Sequence, residues 1–239
     1  MEDAIKRELE ELKEASLSGR AEDEYEYGIH LMMFSDDTDE ALKYLNSAQD
    51  KGLNDAIYSV GLYYENQGDI KKALEYYDKL IDKGSAYGYR AYGDLYYFGE
   101  LGKVDKIKAK EFYEKGSDPL LTEYYVCLFE LGRMYRRGDG VKENFDKAVY
   151  YFSLAENEFD DPEIALCLGE AYLLGKGGKE KDLKVAEDYL FEFSIDVSGD
   201  EEDEDLIDDF TELISKADDE FKEHLFKRIE EAEKEEYEE

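Results

Sequence analysis

Residues 131–155 read LGRMYRRGDGVKENFDKAVYYFSLA, and the order of small, aromatic and turn-forming residues in this stretch decides the fold. Leu131-Gly132 is followed, three residues beyond the glycine, by Tyr135; the turn RGDGVKEN intervenes; Ala148 then leads a second element with Tyr151 three residues on. Spacings of three and four place side chains on one stripe of an α-helix, and glycine clusters close helices and turn the chain. The stretch therefore predicts two antiparallel helices. A glycine inside the first costs about 1 kcal/mol in helix propensity, which makes sense where a neighbouring helix must come close.

The same pattern runs outward in both directions. An apolar or aromatic residue precedes glycine at Tyr27-Gly28, Val60-Gly61, Tyr92-Gly93, Leu131-Gly132 and Leu168-Gly169, with glycine steps of 33, 32, 39 and 37. Tyr64, Tyr96, Tyr135 and Tyr172 lie three residues after four of these glycines, with Leu31 in the first unit. The second element repeats as Ala41/Tyr44, Ala73/Tyr76, Ala109/Phe112, Ala148/Tyr151 and Ala186/Tyr189. A fixed period of this kind is the signature of stacked supersecondary units. The glycine-to-alanine distance grows from 13 and 12 to 16, 16 and 17, so the last three units carry longer turns. None of these turns follows a strand or ends in Gly-Lys-Ser or Gly-Lys-Thr, so they do not read as phosphate loops.

These residues carry a resemblance. Leu131 to Ala155 resembles the consensus of the Sel-one-like repeat, a relative of the tetratricopeptide repeat with a longer inter-helix turn, and AIYSVGLYYENQGDIKKALEYYDKL, Ala56 to Leu80, is closer to the tetratricopeptide form. The resemblance covers about residues 21 to 195, with Leu31 and the long segment Asp118 to Tyr125 departing from the pattern. It implies an all-α fold, a right-handed superhelix (α-solenoid) of about five antiparallel helix-pair repeats, with the first helix of each unit on the concave face.

Three segments are expected: an N-terminal capping helix at 1–20, the repeat array at 21–197 and an acidic helical C-terminal cap and tail at 198–239. The first is marked by a narrow stripe of Ile5, Leu9 and Leu12, suited to covering the first unit. Ser198-Gly199 and the acidic run after it break the array; from Gly199 onward there are 20 acidic and five basic residues. Leu206, Phe210, Leu213, Ile214 and Ala217, then Phe221, Leu225 and Ile229, keep a helical spacing and predict two amphipathic helices that give the last unit a polar outer face. The final stretch EEAEKEEYEE is expected to fray.

Composition bounds the partners. A net charge of −34 on 239 residues repels phosphate backbones and anionic headgroups, which argues against nucleic acid and membrane surfaces and favours proteins or peptides. No leader-like apolar region and no span of roughly 18 apolar residues is present, so a cytoplasmic, monomeric protein is expected. Two cysteines, Cys127 and Cys167, do not make a disulfide framework or a zinc site; both align with small residues of other units and read as packing thiols. Two histidines, His30 and His224, fall in the first unit and the terminal cap, which leaves no nucleophile–base pair, no metal site and no cofactor to expect.

The candidate partner-binding residues are Tyr25, Tyr58 and Tyr97, which the resemblance puts on first-helix positions, and Arg90, Arg133, Arg136 and Arg137, a local reversal of charge. The tyrosines either contact a partner or pack on the next unit. The arginines either clamp an anionic segment or C-terminal carboxylate, as guanidinium forks do, or pair with neighbours such as Asp94 and Glu170. The expected function is a non-enzymatic scaffold or adaptor holding a partner polypeptide; a hydrolase or small-ligand-binding activity on the same stack, and a self-assembling array, are the alternatives.

Overall fold

The computed structural model describes residues 2–35, 37–159, 161–197 and 204–236. The all-α expectation holds. The helices are α1 (Glu2–Ser16), α2 (Ala21–Phe34), α3 (Thr38–Asp50), α4 (Asn54–Asn66), α5 (Ile70–Asp82), α6 (Ala86–Phe98), α7 (Lys106–Gly116), α8 (Tyr125–Arg137), α9 (Phe145–Ala155), α10 (Pro162–Leu174), α11 (Leu183–Asp196), α12 (Glu204–Ser215) and α13 (Asp219–Glu236). Among the described residues there is no strand, only a single bridge between Ser85 and Thr122, and no helix long and apolar enough to cross a membrane. The chain forms two compact units, residues 1–127 and 128–239, divided within α8.

Each repeat closes at its glycine. A Cβ added at Gly61 would lie 2.5 Å from the Tyr77 ring, at Gly93 2.2 Å from Tyr113, and at Gly132 2.5 Å from Phe152. At Gly28 and Gly169 the intruding side chains are Leu45 and Leu190, at 2.9 and 2.7 Å. The glycine read from sequence as a point of close approach is thus a socket, and the side chain that fills it sits four residues after the repeat alanine. The five alanines themselves, Ala41, Ala73, Ala109, Ala148 and Ala186, are fully buried. Where the filler is tyrosine, its hydroxyl donates to an acid on the facing helix: Tyr77 to Glu65 at 2.5 Å and Tyr113 to Asp94 at 2.7 Å. That satisfies the one polar atom the ring brings into the core.

The aromatic three residues after each alanine does not enter the socket. It lies half-buried against the tyrosine that follows the glycine, in stacked pairs Tyr64–Tyr76 (5.7 Å), Tyr96–Phe112 (5.5 Å), Tyr135–Tyr151 (5.7 Å) and Tyr172–Tyr189 (5.9 Å). A lysine covers each stack: Lys72, Lys108, Lys147 and Lys179 lie 3.7 to 5.3 Å from the ring centroids of Tyr64, Tyr96, Tyr135 and Tyr172. In the first repeat, where Leu31 replaces the tyrosine, Tyr44 meets Tyr27 edge-on at 4.8 Å instead.

The second helices all begin on a side-chain cap: Asp37, Asp69, Asp105, Asn144 and Asp182 accept from backbone N–H groups of their first turns. The irregular segment before α8 is tied down within the N-terminal unit. Thr122 exchanges backbone hydrogen bonds with Gly84 and Ala86, each 2.9 Å, and Glu123, held at φ 53°, accepts from Ser85 (2.6 Å) and Asn54 (3.3 Å).

Both ends are covered as the stripes predict. Leu9 and Leu12 of α1 pack on Tyr27, Leu31 and Ala41, and Lys13 bridges to Glu40 at 2.9 Å. In the C-terminal unit Leu213, Ile214, Phe221 and Leu225 complete a cluster with Leu190 and Phe193, and Phe210 stacks on Phe193 at 4.9 Å. Arg228 lies 4.0 Å over Phe191. Tyr189 belongs to the stack within its own repeat and donates to Glu156 at 2.8 Å. The array break at Ser198-Gly199 lies outside the described residues; α13 runs on through Glu236, and residues 237–239 are outside them too. Deleting residues 200–239 uncovers Leu190 and Phe193, so the truncated chain should melt lower and self-associate in light scattering; unchanged melting with a single-chain mass would contradict the capping role of α12 and α13.

Candidate interaction surfaces

In the N-terminal unit the named tyrosines are half-buried on first helices. Tyr25 of α2 accepts from the Ser59 hydroxyl of α4 at 3.5 Å. Tyr58 of α4 stacks on Tyr87 of α6 at 4.9 Å and tilts against Tyr77 at 6.2 Å, while Tyr87 donates to Asp55 at 3.2 Å. Tyr25 and Tyr58 therefore fasten one repeat to the next and keep part of each ring exposed. Burial raises the Tyr25 pKa, and burial with Asp55 raises that of Tyr87, so both hydroxyls stay protonated. Tyr97, near the end of α6, meets Phe98 edge-on at 5.0 Å under Lys106 at 4.7 Å. Arg90 faces Asp94, one turn along α6, at 3.6 Å.

In the C-terminal unit Arg133, Arg136 and Arg137 come together along one helix face and meet carboxylates of their own unit. Glu163 is the centre: its side chain is 4% exposed, and it lies 2.7 Å from Arg137 and 3.2 Å from Arg133. Its position explains why a carboxylate is tolerated there. Asp161 caps α10, Pro162 opens it, and Glu163 stands in the first turn, where the helix dipole favours negative charge. Arg133 also reaches Glu130 at 3.4 Å. Arg136 lies between Glu170 (3.6 Å) and Asp209 of α12 (3.0 Å); burial works against its charge, and the surrounding acidic groups outweigh that penalty and raise its pKa.

A cleft of about 730 Å³ opens beside Arg136 and Arg137, with Glu143, Glu170, Asp209 and Lys216 among its walls. Seven carboxylate and three cationic side chains line it, so its field is negative although the arginines project into it. The ion pairing that orders this wall was half legible: Glu170 is among the neighbours the sequence reading names, whereas Glu163, 26 residues from Arg137, and Asp209, 73 from Arg136, are not.

The remaining chemistry-bearing residues are accounted for locally. Cys127 presses on Gly116, where an added Cβ would meet its sulfur at 2.3 Å. Burial pushes the Cys167 thiol up to about 12 even beside Arg136. His30 faces Glu8 at 3.4 Å in the N-terminal unit, and His224 faces Glu187 at 2.7 Å in the C-terminal unit. Among the described residues no group of three or more His, Cys, Asp or Glu side chains is placed to hold a metal ion.

Two outcomes are expected. Replacing Arg133 and Arg137 together by alanine leaves the Glu163 charge buried without its partners and should cost about 3 kcal/mol in chemical denaturation, with Glu163→Gln costing less; a double variant as stable as the parent would show that the pairs carry no stability. Ellman's reagent at pH 8 should leave both thiols of the native protein unreacted and titrate two after unfolding, because neither sulfur is exposed and Cys167 stays protonated. Rapid labelling of the native protein would contradict the packing.

The comparisons agree with this architecture. The Sel1 repeat model matches residues 17–53, 54–85, 86–118, 126–158 and 165–192. The chain is 32% identical over 124 residues to the ERAD-associated E3 ubiquitin-protein ligase component HRD3B of Arabidopsis thaliana, spanning 51% of this chain and 18% of that protein. It is 34% identical over 91 residues to cytochrome c oxidase assembly factor 7 of Xenopus tropicalis, spanning 36% of this chain and 39% of that one. It thus spans well under two thirds of either relative. The crystal structure of a Sel1 repeat protein from Oxalobacter formigenes superposes with a TM-score of 0.58 at 19% identity, covering 94% of this chain and 99% of that one. With five matched repeats across most of its length, the chain belongs to the Sel1 repeat family.

Proposed function

We propose that this chain is a non-enzymatic scaffold that holds a partner polypeptide on the face made by the first helices α2, α4 and α6 of its N-terminal unit. The observation that carries the reading is the division of labour among aromatics. The socket-filling rings Tyr77, Tyr113 and Phe152 of second helices are fully buried, whereas Tyr25 and Tyr58, after their repeat-to-repeat contacts, and Tyr97, beside Phe98 and Lys106 of its own repeat, stay only half-buried on first helices. Rigid, partly exposed tyrosines give large contact area at low entropic cost. Family membership supports the same reading, since Sel1 repeat proteins are generally protein-interaction scaffolds.

In this reading Arg90, Arg133, Arg136 and Arg137 organise carboxylates of their own units, and a partner gains from them only through the exposed parts of Arg133 and Arg137. The binding form is the single chain: a net charge of −34 opposes self-association. Light scattering should therefore give a mass near 27.8 kDa across concentration, and a growing mass would favour the self-assembling alternative. Cross-linking of an affinity-captured partner, read by mass spectrometry, should place the links on α2, α4 and α6. Links confined to the second helices, or loss of a small-molecule turnover on mutating Tyr25 and Tyr58, would overturn the scaffold reading.

A further inference from the structure

The third repeat departs from the other four in one place. The residue before the cap of each second helix is Asp36, Gly68, Val104, Glu143 and Lys181 in chain order, and the residue two after the cap is Asp39, Lys71, Ile107, Asp146 and Lys184. Only the third repeat is apolar at both positions. Val104 is 56% and Ile107 66% exposed, and Phe98, the last residue of α6, is 69% exposed. Phe98 aligns with Arg137 and Leu174 ahead of the turn glycines Gly138 and Gly175.

These side chains are held out by an ordered turn. Gly99, at φ 86°, folds the chain back so tightly that an added Cβ would meet the Val104 nitrogen at 2.8 Å. Gly102 donates to the Gly99 carbonyl at 2.9 Å, Asp105 to the Tyr96 carbonyl at 2.8 Å, and Leu101 packs into the core beside Leu95. The turn is therefore anchored by Leu101, while Phe98, Val104 and Ile107 stay more than half exposed. Its charge is also reversed. Lys103, Lys106 and Lys108 surround the apolar residues, with Lys106 4.7 Å over Tyr97; of the two acids in residues 98–108, Asp105 already caps α7 by accepting from Lys108 N–H at 3.1 Å and Glu100 is exposed, so three lysines against two acids leave the turn at +1 in a chain of −34.

We infer that the α6–α7 turn is a docking surface for an acidic amphipathic segment of a partner polypeptide, which seats apolar side chains on Phe98, Val104 and Ile107 and sets carboxylates against Lys103 and Lys106. The inference rests on the scaffold reading and adds a second contact chemistry to it. An anionic membrane offers the same charges, but it is an extended surface that meets the field of the whole acidic chain. A peptide segment meets only what lies within a Debye length of about 8 Å.

The test uses the full chain and a short acetylated, amidated peptide in which Leu and Phe recur every three or four residues and Glu fills the remaining positions. Fluorescence anisotropy should show saturable binding that weakens as salt rises, and no binding of the same peptide with Lys in place of Glu. Phe98→Ser with Ile107→Ser, and separately Lys103→Glu with Lys106→Glu, should each weaken it at least tenfold with melting unchanged. No saturable binding, or binding that survives both double variants, overturns the inference, as does sedimentation with phosphatidylserine vesicles that the same variants abolish. If a captured partner still cross-links to α2, α4 and α6 when both double variants are made, the scaffold reading stands and this surface does not.

Discussion

A side chain driven into a glycine of the facing helix is the contact on which every repeat depends. An α-helix ordinarily presents a Cβ at each position and keeps its neighbour about 8 to 10 Å away axis to axis. Removing one Cβ opens a hole wide enough for a ring edge, and Tyr77, Tyr113 and Phe152 enter such holes at Gly61, Gly93 and Gly132. The approach brings the fully buried alanines against the first helix and sets the distance at which the outer aromatic pairs can stack. Those pairs and their covering lysines then seal the edge of each repeat with surface that tolerates water.

Charge is organised around the same frame. The chain carries 64 acidic residues, and its few arginines in the C-terminal unit are placed where acids are forced into partial burial. Glu163 in the first turn of α10 is held by Arg133 and Arg137, and Asp209 brings α12 to Arg136. Such pairs contribute little as isolated attractions, because desolvation opposes them, yet breaking one leaves a buried charge. A local excess of arginine in an acidic protein can thus mark internal order as readily as a receptor for anions. The lysines of the α6–α7 turn differ, because the residues they surround are apolar and exposed.

The repeat, its helix pairs, the glycine approach and both caps were legible in sequence, because each is carried by residues recurring at fixed local spacings. Two things were not. Periodicity at steps of three and four cannot distinguish Tyr76 from Tyr77, since both lie near the same stripe; only the glycine opposite selects Tyr77 for the socket. The partners of Arg133, Arg136 and Arg137 were hidden for another reason: Glu163 and Asp209 arrive from other helices, and no spacing rule reports that meeting. The exposed Phe98, Val104 and Ile107 could have been found by aligning the five caps, which makes their polar counterparts visible.

The most direct measurement is a set of single glycine-to-alanine changes at positions 28, 61, 93, 132 and 169, followed by chemical denaturation. Helix propensity alone raises stability by about 1 kcal/mol at each site, whereas overpacking costs about 1–3 kcal/mol or more. The sockets predict a net loss in all five, larger at Gly61, Gly93 and Gly132, where a rigid ring fills the hole, than at Gly28 and Gly169, where leucine can shift. An alanine at Gly61, Gly93 or Gly132 that leaves the protein as stable as the parent, or more so, would contradict the account.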